Sequence, residues 1–134
     1  MAGYPRDGAE LQLALQHALT AENAPLFARD ILDQVSAQGI PLGFTATTLE
    51  YLDSVMESLR ANSVALEQVP EVLFGFGCVL GEVIAQTTGG TWVATTFAIP
   101  IGLQVDDATL DPVGFAFASL SSGISFVEYF ARRS

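Results

Sequence analysis

The chain has 134 residues, half of them hydrophobic and only 15% charged. That length and apolar content exclude a disordered acidic tail and allow one compact domain with a sizeable core. Fifteen acids stand against five basic residues, all arginines, for a net charge of −10. Without lysine, and with Arg132-Arg133 as the only basic pair, the chain lacks the clustered cations that nucleic acid phosphates or an anionic membrane surface require. An acidic chain of this kind is suited to meet a basic protein surface, where opposite fields speed encounter.

Residues 1–8 are expected to be flexible, and 9–87 to be helical. Leu11, Leu15 and Leu19 recur at four-residue spacing and predict a helix over 9–20, with His17 at the edge of its apolar face. Pro25 starts the next helix, which carries Phe27, Ile31, Leu32 and Val35 on one stripe, with Gly39 as its terminating residue. Residues 40–46 read as extended or turning. Thr47 and Glu50 then form a capping-box pair. The following helix turns Leu49, Leu52, Met56 and Leu59 inward and Glu50, Asp53 and Glu57 outward, and Asn62-Ser63 ends it. These three acids share one face and are the partner-binding candidates.

Pro70 opens a helix to about Gln86 whose apolar residues cover most of its circumference, which predicts the central buried helix. Gly75, Gly77 and Gly81 each cost about 1 kcal/mol relative to alanine in a helix interior. Three of them in one helix predict close approach of another element. Gly77 and Gly81, four residues apart, form a notch for the strand carrying Trp92, and Glu82 is the acceptor for its indole N–H. These four residues are the structural candidates.

After Thr87-Thr88-Gly89-Gly90 the pattern becomes β-rich, which predicts a hairpin over 91–105. Asp106-Asp107 and Asp111-Pro112 bound a loop. Residues 112–132 read as C-terminal helices with a turn at Ser121-Ser122-Gly123, although alternation through Val113, Phe115 and Phe117 also fits a strand. The whole reads as an α+β, helix-rich single domain with a central buried helix and a small antiparallel sheet.

Catalytic and cofactor signals are weak. The glycines of 75–81 lack the βαβ setting of a dinucleotide loop. Cys78 sits among apolar residues and reads as core, with His17 too isolated to serve as its base. One cysteine and one histidine make no zinc set, and Asp106, Asp107 and Asp111 lack calcium-loop spacing. No cofactor, metal or catalytic residue is therefore expected. The single cysteine, the opening residues without a basic region and apolar run, and the absence of a long apolar stretch point to a cytoplasmic protein away from membranes.

Gly39-Ile40-Pro41-Leu42 with Thr48-Leu49-Glu50-Tyr51-Leu52-Asp53, then the Gly81-Glu82 helix and Gly89-Gly90-Thr91-Trp92, Asp111-Pro112-Val113 and Phe126 to Phe130, resemble a poorly characterised family of small bacterial proteins. The resemblance spans roughly 39–130. It departs at Cys78, where the family has an aromatic residue, and at Val113, where a phenylalanine is expected. It supplies no activity or catalytic residue and implies an accessory or immunity-type role. The reading is thus a non-enzymatic binding or regulatory protein that engages a basic protein partner such as a toxin or enzyme. The alternatives are a small-molecule-binding domain with a pocket of Phe44, Tyr51, Phe97, Phe115 and Phe117, an enzyme using Glu82 or the Asp106-Asp107 loop, and a structural subunit of an assembly.

Overall fold

The structure, a computed structural model, describes residues 17–133. The expectations for residues 1–8 and for the helix over 9–16 lie outside the described residues. Residues 17–20 are bent rather than helical and lead into a short 3-10 turn, Ala21–Asn23.

Five α-helices follow among the described residues: α1 (Ala24–Ser36), α2 (Ala46–Ala61), α3 (Pro70–Thr88), α4 (Pro112–Ser122) and α5 (Phe126–Ala131). A second 3-10 turn, Leu66–Gln68, precedes α3. Proline stands in the first turn of α1, α3 and α4, where its missing N–H costs no helical bond. Helix α2 starts one residue before Thr47, with Thr45 at the N-cap and no side-chain cap bond, so the capping box with Glu50 does not form. The hydroxyl of Thr48 instead donates to the Gly43 carbonyl.

Helix α3 is the core of the molecule. Every residue from Leu73 to Gly81 is buried, as are Val83 and Ile84. It packs chiefly against α4 on one side and α1 on the other. Both α3 and α4 end on a glycine in the left-handed region, Gly89 at φ +80° and Gly123 at φ +76°, where a side chain would be strained. Helix α4 therefore runs two residues further than the Ser121-Ser122-Gly123 pattern suggests. Its apolar residues cover most of its surface, and the helical reading prevails over alternation because Asp111 caps it.

Three antiparallel strands lie in the order β1 (Thr91–Ala94), β2 (Ile101–Val105), β3 (Ala108–Leu110). Trp92 pairs with Leu103 and Leu103 with Leu110. The expected hairpin thus gains a third strand, and Asp106-Asp107 is its turn, with Asp106 at φ +52°. Central strand β2 contacts both α3 and α4 and buries Ile101 and Leu103. The fold is α+β, helix-rich with a small antiparallel sheet. No described helix is long and apolar enough to cross a membrane.

Candidate functional site

The glycines of α3 are notches for two different neighbours. A Cβ on Gly81 would overlap the six-membered ring of Trp92. The indole crosses the helix there, and its Nε1–H donates to Glu82 Oε1 at 2.8 Å. Gly77 does not receive the strand. Its missing Cβ makes room for the backbone of α4, with Val113 Cα 2.5 Å from where the atom would stand. Gly77 and Gly81 do share one side of the helix, but the expectation that both admit the strand is corrected: Gly77 admits α4 alone, and at Gly81 the indole is joined by Pro112 of α4.

The acidic stripe is also divided. Glu50 and Glu57 are exposed on α2. Asp53, between them, is half-buried and turned to α5, where it accepts from the Phe126 N–H at 2.6 Å and the Val127 N–H at 3.3 Å. These are orphan donors of a helix N-terminus, and a carboxylate also suits the positive end of the helix dipole. Ser125 caps the same helix through the Glu128 N–H. Asp53 is thus engaged within the fold and does not stand as a third outward charge.

Cys78 is fully enclosed, and burial pushes its thiol far above the ordinary range, with Glu82 adding to the effect. A thiol so held is a small core residue, not a nucleophile. Cys78 is expected to resist iodoacetamide in the folded protein and to react at the rate of global opening; fast labelling in native buffer would contradict the packing. His17 packs edge-on to Phe27 at 5.2 Å and its Nε2 lies 3.0 Å from Asp30 Oδ2. The Asp106-Asp107 turn is braced by Gln104, whose Nε2 donates to the Asp106 carbonyl and whose Oε1 accepts from the Thr109 hydroxyl. Among the described residues no group of three His, Cys, Asp or Glu could hold a metal ion.

The five aromatic residues do not converge. Phe44 lies under the Arg29 guanidinium. Phe115 packs in tilted contacts against Tyr129 and Phe126, and Tyr51 packs against the core on α2. Phe97 and Phe117 do meet, in a cleft of about 830 Å³. One wall is the 64–67 segment, where Ser63, in the left-handed region at φ +55°, reverses the chain after α2. The β1–β2 loop supplies Phe97, whose N–H donates to the Thr95 hydroxyl, and that loop is closed by the Thr95 N–H bond to the Pro100 carbonyl. Helix α4 supplies Phe117, Ala118 and, at its N-cap, Asp111. Arg60 fastens the end of α2 to α4 by donating to the Ser119 carbonyl at 2.9 Å.

Asp111 is the half-buried carboxylate of the cleft. It accepts from the Gly114 N–H at 2.8 Å, and a Cβ on Gly114 would overlap the carboxylate. Burial pushes its carboxyl above the usual value, opposed by the Gly114 bond. A raised carboxyl makes the folded state hold its proton to higher pH than the unfolded chain, so this stabilising contribution is complete at low pH and is lost as pH rises through the raised value. Asparagine caps a helix as well as aspartate does. Asp111→Asn is therefore expected to raise the urea midpoint at pH 7, with the gain shrinking as the parent is acidified through that range. A gain that grew on acidification would show that Asp111 is stabilised as the anion.

No protein-family model matches the chain, and no match to it emerges among curated proteins or solved structures.

Proposed function

We propose that this chain is a non-enzymatic binding or regulatory protein that engages a basic protein partner, in the manner of an immunity-type factor that covers a toxin or enzyme. One observation carries the reading: each described arginine is engaged by a neighbour within the fold, while most of the described acids stand exposed. Arg29 lies over Phe44, Arg60 holds the Ser119 carbonyl, and Arg133 lies over Tyr129. Of the arginines, only Arg132 makes an ion pair with a carboxylate among the described residues, to Glu128 at 2.7 Å. Glu50, Glu57, Glu67, Asp106 and Asp107 stand exposed with no arginine paired to them among the described residues. The resulting negative field steers a cationic surface inward and weakens with salt over a Debye length of about 8–10 Å. The wholly buried thiol argues in the same direction, since it removes the one cysteine from chemistry.

The test is capture from the native cell, with the wild-type chain and a Glu50→Lys/Glu57→Lys double variant as baits, followed by mass-spectrometric identification. The expected result is a basic protein held by the wild type at low salt, released at high salt and held poorly by the double variant. A neutral or acidic partner held equally by both baits overturns the proposal.

A further inference from the structure

The cleft between the 64–67 segment, the β1–β2 loop and α4 has walls of one kind and charges of one sign. Leu66, Phe97 and Phe117 give it an apolar lining, and its ionisable residues are Glu67 and Asp111. Its volume of about 830 Å³ lies in the range of small-molecule sites, roughly 300–1,000 Å³. Glu67 is exposed at the rim and Asp111 is half-buried. The Gly114 N–H engages Asp111 Oδ1, and Oδ2 accepts no hydrogen bond from a described residue.

We propose that the cleft binds a small organic cation, its aromatic or aliphatic body against Leu66, Phe97 and Phe117 and its ammonium or amidinium group on Asp111. Charge complementarity selects the occupant. A neutral guest leaves the half-buried carboxylate without a counter-charge, and an anion is repelled by both acids. Neither nearby arginine fills the role. Arg133 lies 3.8 Å from the Tyr129 ring centre and donates to the Tyr129 carbonyl, and Arg60 is committed to the Ser119 carbonyl. The other groups facing Asp111 are the Gly114 N–H and the Tyr129 phenol, whose own pKa is raised mainly by burial, with Asp111 among the further causes. Because burial also raises the Asp111 carboxyl, binding of a cation is expected to weaken as pH falls through that raised value, when the carboxylate gains its proton. The proposal is independent of the outer acidic face, since it needs neither Glu50 nor Glu57.

Three probes sharing one body separate the terms: 2-naphthylmethylamine, 2-naphthylmethanol and 2-naphthoate, followed by calorimetry and amide chemical shifts at pH 7. The amine is expected to bind about tenfold tighter than the alcohol, as one charge-assisted contact implies, and the carboxylate weakest. Shifts are expected to centre on Gly114 and Ala118. Asp111→Asn, which keeps the helix cap, is expected to bring the amine down to the alcohol. Ala118→Trp, at an exposed position of the wall, is expected to block all three while far-UV circular dichroism stays unchanged. Glu50→Lys/Glu57→Lys is expected to leave the order intact. Equal binding of amine and carboxylate, shifts centred away from the cleft, no binding at millimolar probe, or a loss of preference in Glu50→Lys/Glu57→Lys as large as in Asp111→Asn overturns the proposal. None of these readouts involves a protein partner, so they fail or succeed apart from the proposal of a basic partner.

Discussion

Replacing Gly77 with alanine is expected to destabilise the protein by about 1–3 kcal/mol, the range for overpacking a dense core, although alanine improves the helix itself by about 1 kcal/mol. The reason is what the new atom meets. Val113 Cα lies 2.5 Å and the Pro112 carbonyl oxygen 3.1 Å from the Cβ position. Both are backbone atoms with no rotamer to change, so α4 must move away from α3 along their main packing seam. Gly81→Ala meets a rigid indole that has to lift and strain its bond to Glu82, and is expected to cost less. Gly75→Ala meets Ile31 Cγ1 and Cδ1, both at 2.6 Å, which are side-chain atoms and not backbone, and is expected to cost least of the three. Gly43→Ala has nothing within 4 Å and no left-handed φ, and is expected to stay within about 0.5 kcal/mol of the parent. Urea unfolding of the four variants checks the order. A Gly77→Ala protein as resistant as Gly43→Ala would mean that the α3–α4 contact is looser than the structure has it.

Asp53→Ala is expected to cost about 2 kcal/mol, because it removes a charged acceptor from the N-terminus of α5. The loss should be local. Helix α5 has six residues and is too short to hold without tertiary contacts, and its one fully buried residue is Phe126, the residue Asp53 holds. Hydrogen exchange is expected to show lost protection over residues 126–131 before α3 is affected. Glu50→Ala and Glu57→Ala are expected to leave both stability and protection unchanged. If Asp53→Ala behaved like those two, the bond to α5 would be incidental and Asp53 would return to the outward face.

Sequence and structure agree most closely where one physical signal is strong and local. The closely spaced apolar residues of 70–86 mark the buried helix, and Gly81-Glu82 with Gly90-x-Trp92 marks the indole contact because a notch, an acceptor and a large ring with one donor occur within about ten residues. Asp53 is misread for a different reason. Helical spacing with Glu50 and Glu57 is a local fact, whereas its partner Phe126 is 73 residues away, and no local pattern announces that α5 will lie there. Strand β3 has three residues, two of them exposed, too few to alternate visibly. The cleft is assembled from three distant stretches of chain, and of the five aromatic residues grouped by composition only Phe97 and Phe117 line it, while Phe115 of the same helix turns to Phe126 and Tyr129. Its one local signal is Asp111-Pro112-Val113-Gly114, an N-cap followed by proline and a glycine that leaves room for the carboxylate.

Trp92 is the only tryptophan of the chain, and it lies across Gly81 with its N–H on Glu82. Its fluorescence therefore watches a single joint, the seat of the sheet on the central helix. Peeling α5, which packs on α2 and α3, would leave that emission quiet while ellipticity falls, whereas loosening the Ala21–Asn23 turn ahead of α1, which touches β1, would not, so an optical mismatch between the two signals would identify which end of the chain lets go first.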